Sequence, residues 1–312
     1  MDGLFHSQRG YAVDMVSLPF PVATCVAALV AAVAATLGGV AARGSTAVPA
    51  AAWATAACLA FALESAARAA GALADPATAA SARLGVSALA MAPAMSLLGA
   101  KRPQHGVWQL IVASLAVVLV MPAASALLVR PGSLPAIHLL ERGFLLVLSL
   151  VGWMNFVGTR RWAAATLVAA GQLGIIRPFL PLVATADALP QPLVDCVGGW
   201  LVASGAALAA VQAFRPKPAA PPGPAALVTP PFLALRETLG AAWALRIAER
   251  FDTVAASRGW PCRLRFDGLD VGGDPADGSW HRDALRAFAA LMHRFVTDDW
   301  LARHGHPGRY DP

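Results

Sequence analysis

Long apolar stretches alternate with short polar connections through the first two thirds of the chain. The connections are rich in glycine, proline, lysine and arginine. About 20 apolar residues suffice to cross the hydrocarbon core of a bilayer, so each stretch predicts a transmembrane helix. Pro93 interrupts the third stretch, and the sixth is cleanly apolar only as far as Ile176. We predict seven spans, at residues 20–42, 47–67, 84–100, 107–129, 136–158, 162–184 and 190–213.

The pattern changes after residue 214. The Pro-rich segment 215–231 is typical of a semi-extended spacer. Thr229 and the proline that follows it predict the cap and first residue of a helix. Apolar residues then recur every four positions from Leu235 to Phe251, and Gly259 predicts the end of that helix.

Two further elements are predicted in the tail. Residues 281–297 have the periodicity of a second amphipathic helix. Alternating apolar and basic residues at 262–266, followed by Asp267-Gly268, predict a short hairpin. The apolar faces could pack against one another or lie on the bilayer surface, and polar faces that mix acids with bases favour packing against one another.

These elements predict an all-α membrane protein. The expected order is an N-terminal segment, a bundle of about seven transmembrane helices, a linker, and a small, mostly helical soluble domain with a short hairpin. The corresponding residues are 1–19, 20–214, 215–231 and 232–312. The tail sequence WALRIAERF (243–251), followed by GWP (259–261), resembles the tails of uncharacterised multi-span bacterial membrane proteins. This resemblance implies a bacterial inner membrane and implies no activity.

Composition supports the membrane assignment. Hydrophobic residues make up 57% of the chain and charged residues 13%, against about 25% charged in average soluble proteins. The net charge of +6 is not gathered in a cluster interleaved with aromatics, so no nucleic-acid partner is expected. The four cysteines show no CxxC spacing, and we expect neither a metal nor a cofactor. The expected partners are the lipid bilayer and a cytoplasmic protein bound through residues 232–312.

Lysine and arginine in the connections predict the orientation, because the richer side faces the cytoplasm. With seven spans, one side carries Arg43, Lys101, Arg102, Arg160, Arg161, Arg215 and Lys217. The other side carries Arg9, Arg83 and Arg130. The N-terminus is therefore expected outside and the tail in the cytoplasm.

The polar residues within or beside the predicted spans are the candidate site. Charges at membrane depth are costly, so they usually face the bundle interior, water or a partner. On the seven-span prediction all of these residues fall in the outer half of the bundle, which predicts an outward-facing polar cavity. They are Arg177, Asp195, Glu141, Arg142, Glu64, Arg68 and His138.

Two interpretations of this group remain open. Each long side chain could instead reach the interface from a helix end, and Glu64 with Arg68 could form an i,i+4 pair on one helix. For Arg177 we hypothesise a pair with Asp195 or Glu141, beside helix breaks at the two prolines that follow it. The uncharged Gln172 and Asn155 are expected to hydrogen-bond between helices.

The predicted function is a non-enzymatic membrane protein for sensing, scaffolding or assembly. The alternative is a transporter of an ion or small solute that uses the outward cavity. An intramembrane enzyme is the least favoured reading. The E-x-x-x-R element at Glu64 and Arg68 resembles the first motif of intramembrane CAAX-type proteases, but the second glutamate and the later histidine and asparagine elements are missing.

Overall fold

The computed structural model describes residues 19–101, 105–180, 189–215, 225–272 and 280–306, and these are mostly helical. Five helices in the described part of the chain are long and apolar enough to cross a membrane. Their length and composition support the prediction of a membrane protein. The helices of the apolar region are α1 (Pro19–Ala41), α2 (Val48–Ala69), α3 (Pro76–Leu89), α4 (Ala92–Leu98), α5 (His105–Leu128), α6 (Leu139–Met154), α7 (Trp162–Ile176) and α8 (Gln191–Phe214).

The predicted count of seven spans is not confirmed. The five candidates are α1, α2, α3 with α4, α5 and α8. Helices α6 and α7 have 16 and 15 residues and are shorter than the about 20 that a straight span requires. A 3₁₀ turn, Arg177–Phe179, follows α7, and residues 181–184 of the predicted sixth span lie outside the described residues.

The third span begins earlier than predicted. Asp75 caps α3 by accepting a hydrogen bond from the backbone N–H of Thr78 at 2.8 Å, and a proline occupies the first helical position. The helix ends just before Pro93, which cannot donate a helical hydrogen bond. The backbone carbonyl of Ala90 at this break accepts a hydrogen bond from Gln172 Nε2 at 3.1 Å, which confirms the predicted interhelical role of Gln172.

Glycines allow α7 and α8 to approach each other closely. Helices α7 and α8 are antiparallel, with Gly171 facing Gly198 and Gly205 facing Ala164. A Cβ atom on Gly171 would lie 2.5 Å from the carbonyl oxygen of Gly198. Close backbone approach of this kind is how membrane helices gain packing energy without a hydrophobic drive.

The C-terminal region packs around its own apolar core. Its elements are α9 (Ala225–Leu239), α10 (Ala241–Arg258), β1 (Cys262–Arg265), β2 (Gly268–Val271), α11 (His281–Met292) and α12 (Asp298–Arg303). The antiparallel hairpin pairs Cys262 with Val271, as the alternation predicted. Leu235, Phe251 and Phe288 are fully buried in one core, so the amphipathic faces pack against one another.

Two details of the tail prediction are wrong. Helix α9 begins at Ala225 and contains Pro230 and Pro231, so part of the expected linker is helical and Thr229 is not its cap. Thr229 instead accepts the backbone N–H of Leu269 through its hydroxyl oxygen, at 3.0 Å. The expected single helix is also broken at Gly240, which has a φ of +91° that favours glycine.

The tail rests directly on the connections of the helical bundle. The backbone N–H of Thr46 donates to Phe295 O, and that of Thr297 donates to Gly44 O, each at 2.8 Å. The Trp243 indole N–H donates to Leu97 O at 2.8 Å. Two small residues of the connections, Ala47 and Ala100, belong to the tail's apolar core. The α1–α2 and α4–α5 connections therefore lie at one end of the bundle, under the tail.

Asn155 fixes the tail to the turn between α6 and α7. Its side-chain amide donates to Leu239 O at 2.9 Å and its carbonyl oxygen accepts the N–H of Ala242 at 3.2 Å. Its backbone carbonyl accepts the N–H of Ala241 at 2.6 Å. The predicted interhelical role of Asn155 is confirmed, and a third connection joins the same end of the bundle.

Candidate functional site

A buried arginine lies at the centre of the charged residues. Arg83 of α3 is 3% exposed and lies between two carboxylates. Its NH2 group donates to both oxygens of Glu64 on α2, at 2.9 and 3.1 Å. Its NH1 group donates to Asp195 on α8. One side chain thereby links three helices.

Two more side chains complete the group. Arg68, one turn after Glu64, donates to the same carboxylate and, at 3.1 Å, to the backbone carbonyl of Ala79. Gln191 Nε2 donates to Asp195 Oδ1 at 2.7 Å. We call Glu64, Arg68, Arg83, Gln191 and Asp195 the ion cluster.

The charges of the ion cluster balance, with two carboxylates and two guanidiniums. Glu64 and Asp195 are 5% and 6% exposed, and only the side chain of Arg68 has substantial access to the surface, at 32%. The ring of Phe61 lies 5.3 Å from the Arg83 guanidinium carbon, which adds a cation–π contact. Burying ions costs several kcal/mol each, and this cost is offset only when every charge is paired and hydrogen-bonded. The cluster meets that condition.

The ion cluster lies in the half of the bundle remote from the tail. At about 1.5 Å per helical residue, Arg83 is about 10 Å from the first residue of α3. By the same measure Asp195 is about 6 Å from the start of α8, and Glu64 about 7.5 Å from the end of α2. Those three helix ends are opposite the connections that the tail covers. The three buried charges of the ion cluster therefore lie together on the side away from the tail.

The other candidate residues occupy separate positions. Arg177 NH2 donates to the backbone carbonyl of Leu189 at 3.2 Å. Glu141 accepts the backbone N–H of His138 at 3.0 Å and so caps the start of α6. Arg142 Nε donates to the carbonyl of Ile137 at 3.2 Å. These contacts stabilise helix ends and loops.

The hypothesised pair of Arg177 with Asp195 is wrong for the described residues. Asp195 is occupied by Arg83 and Gln191, because α3 and α8 bring them close inside the bundle. The alternative pair of Arg177 with Glu141 is also not formed in the described part of the chain, since Glu141 binds its own helix end. Arg177 lies where α7 ends and its 3₁₀ turn begins, and its guanidinium donates to the backbone carbonyl of Leu189.

Sequence reasoning missed Arg83 by placing it in a connection. The signal that could have corrected this is Asp75-Pro76, a cap followed by a first-turn proline. A helix that begins there carries Arg83 two turns into the bundle. The six residues between Pro76 and Arg83 include no glycine and no second proline, so nothing ends the helix before the arginine.

The described residues set limits on the chemistry of the site. They contain no group of three or more histidine, cysteine, aspartate or glutamate side chains that could hold a metal ion. The buried hydroxyls of Ser65 and Ser81, on the two helices that carry Glu64 and Arg83, have no protein partner among the described residues. A groove between α2, α3 and α5 is lined only by apolar side chains, among them Trp53 and Leu89.

Comparisons with protein-family models, with curated proteins and with solved structures find no match to this chain. Fold alone does not fix function, so the function must follow from the site and from the arrangement of the domains.

Proposed function

We propose that the chain crosses a bacterial inner membrane seven times, with its N-terminus outside and its tail in the cytoplasm. The tail contacts the connections α1–α2, α4–α5 and α6–α7. These three connections therefore lie on the tail side of the membrane. Between each connection and the next, the chain must cross to the other side and back. Five long apolar helices and the shorter α6 and α7 supply those crossings.

The α7–α8 contact supports the last two crossings. Helix α7 starts next to the docked turn at Asn155, and α8 runs antiparallel to it, with Gly205 beside Ala164. Helix α8 therefore ends on the tail side. Helix α7 has 15 residues, and with the 3₁₀ turn that follows it spans about 28 Å. This length is close to the hydrocarbon thickness of about 30 Å.

The position of Arg83 strengthens the predicted orientation. Because Arg83 lies inside a helix, it no longer counts among the basic residues of the outer connections. Arg9 and Arg130 remain on that side, against seven basic residues on the tail side. An asymmetry of this size favours a cytoplasmic location for the tail side. Reporter fusions after Arg161, Ala188 and Phe214 test the topology: the first and third should report the cytoplasm and the second the outside.

Within this topology the proposed role is non-enzymatic scaffolding or assembly, with sensing as a related possibility, at the cytoplasmic membrane face. The observation that carries it is the apolar core shared by the tail and the bundle connections through Ala47 and Ala100. A partner bound to the tail would therefore be held at a fixed orientation to the membrane. The balanced ion cluster fits this role, because it joins α2, α3 and α8 and has no free charge to offer a solute.

Photo-crosslinking tests the scaffolding role. A crosslinking amino acid at Leu245, which is 54% exposed on α10, should capture a defined cytoplasmic protein in intact cells. The same substitution at Leu63, which is 72% exposed on α2 and faces lipid in our topology, is the matched control. A scaffold requires the same protein to be recovered from Leu245 and not from Leu63. Capture of nothing from exposed tail positions would contradict the proposal.

The second candidate is a transporter. Two buried carboxylates at membrane depth favour it, as do the Ser65 and Ser81 hydroxyls, which have no partner in the part of the chain that the structure describes. Cysteine accessibility separates the two roles. Ser87, one turn from Arg83 toward the tail, is 0% exposed. In a cysteine-free background, Ser87→Cys should resist a membrane-impermeant thiol reagent from both sides, whereas the exposed Leu134→Cys should react. Reaction of Ser87→Cys from either side would establish a water path and favour transport.

A further inference from the structure

The turn between α6 and α7 presents two arginines and a tryptophan at the tail side of the bundle. Arg160 is exposed, Arg161 is half-buried, and Trp162 is 57% exposed at the first residue of α7. Tryptophan favours the level of the lipid headgroups, where its ring is in an apolar environment and its N–H in a polar one. Arginine forms planar, two-pronged hydrogen bonds that match a phosphate group.

The backbone of this turn is held rigidly. The buried hydroxyl of Thr159 donates to Phe156 O at 2.7 Å and accepts the N–H of Arg161 at 3.1 Å. Gly158 has a φ of +78°, a left-handed conformation that favours glycine. The two guanidinium groups are thus carried on a fixed turn, which reduces the entropy lost when they bind an anion.

The protein's own acid near the turn is already occupied. Glu237 accepts the backbone N–H of Arg160 at 2.9 Å with one oxygen and the Arg236 guanidinium at 2.7 Å with the other. No carboxylate lies within ion-pair distance of the Arg160 or Arg161 guanidinium among the described residues. Burial lowers the pKa of Arg161, and the charge of Glu237 only partly opposes that shift. The turn therefore has positive charge that the described chain does not neutralise.

We propose that this turn binds the headgroup phosphate of an anionic phospholipid. The two arginines would contact the phosphate, and Trp162 would lie beside the upper acyl chains. The proposal needs only that this end of the bundle lies at a membrane surface. It does not depend on the scaffolding role, so a failed crosslinking experiment at Leu245 would leave it standing.

Lipid retention tests the proposal on the full-length protein. The protein is reconstituted in nanodiscs of phosphatidylglycerol and phosphatidylcholine, released, and examined by native mass spectrometry for bound lipid. Each arginine removed should lower the preference for phosphatidylglycerol about fivefold. The Arg160→Gln/Arg161→Gln variant should therefore lose most of the enrichment, and its backbone bond to Glu237 is retained because only side chains change.

The controls keep the result interpretable. Arg258→Gln/Arg282→Gln removes the same charge from exposed tail positions and should bind lipid as the wild type does. If the glutamine variant does not fold, Arg160→Lys/Arg161→Lys keeps the charge and should show intermediate retention, since lysine lacks the two-pronged geometry. Equal enrichment in all variants would overturn the proposal. Release of the lipid by inorganic phosphate would assign the turn to a free anion.

Discussion

Arg83 of α3 and Asp195 of α8 form a buried ion pair across 112 residues of sequence. The pair joins the third helix of the bundle, α3, to its last helix, α8, and Glu64 on α2 binds the same guanidinium. No disulfide joins these three helices in the described residues. The charges therefore act as a specific polar contact among α2, α3 and α8.

Replacing Arg83 should destabilise the protein strongly. The Arg83→Met variant leaves the buried Asp195 without a cation and Glu64 with Arg68 alone, a change that costs about 3–5 kcal/mol in the free energy of unfolding. Unfolding in detergent micelles, followed by tryptophan fluorescence, measures the loss. As a control, Arg142→Gln removes an arginine whose side chain bonds only a backbone carbonyl, and it should cost less than about 1 kcal/mol.

Removing the three buried charges together should restore much of the stability that Arg83→Met loses. A triple variant, Glu64→Gln, Arg83→Met and Asp195→Asn, leaves no buried ion unpaired, and Arg68 can still reach water. A triple variant as unstable as Arg83→Met alone would show that the loss came from packing around Arg83 rather than from its charge.

The α7–α8 contact should be intolerant of even one methyl group. A Cβ on Gly171 would lie 2.5 Å from Gly198 O, so Gly171→Ala should cost about 1–3 kcal/mol through overpacking. Gly143 in α6 has nothing within 4 Å of an added Cβ. Gly143→Ala should therefore be neutral or raise the midpoint of thermal unfolding, because alanine favours the helix by up to about 1 kcal/mol. Equal effects at the two positions would contradict this assignment.

Docking of the tail should loosen when Asn155 is shortened. The Asn155→Ala variant loses hydrogen bonds to Leu239 O and Ala242 N, together worth about 1–3 kcal/mol. Local opening free energy governs amide exchange, so exchange at the α9–α10 junction should speed up about tenfold or more by mass spectrometry. Ser257→Ala removes an exposed local bond to Val254 O and should leave that junction unchanged.

The sequence predicted elements whose signals are local. The Cys262–Val271 hairpin follows from alternation and a two-residue turn, and the buried stripe of the tail follows from a period near four. The same periodicity could not show the break at Gly240, because the break accompanies a contact with Asn155, which lies 85 residues away in the sequence.

The partner of Asp195 could not be predicted for a related reason. Alanine-rich spans are apolar all round, so their sequence does not show which face meets which neighbour. Arg83 and Arg177 were both close enough in the sequence-based layout to pair with Asp195. Which of them does so depends on how each helix is rotated about its axis. That rotation is set by small-residue contacts such as Gly199 against Ala27 and Phe61, which composition alone makes indistinguishable from many others.

Cys262 should react slowly with thiol reagents and only at high pH. Burial in the tail core, helped by the nearby charge of Asp252, raises its pKa to about 11, above the usual value of about 8.5. The thiol form is thus favoured in the folded state. Its contribution to stability is complete below about pH 8.5 and is lost as the pH rises towards 11.

The measurement is maleimide labelling in a Cys25→Ala/Cys58→Ala/Cys196→Ala background, with an exposed Thr253→Cys in the same background plus Cys262→Ala as the control. Only the thiolate reacts, so the control should label rapidly at neutral pH while Cys262 stays largely unmodified. The Cys262 rate should climb steeply above pH 8.5, both because the thiolate forms and because the core that buries it is weakened. Labelling of Cys262 at the control rate at neutral pH would mean that the tail does not keep the closed core on which its docking depends.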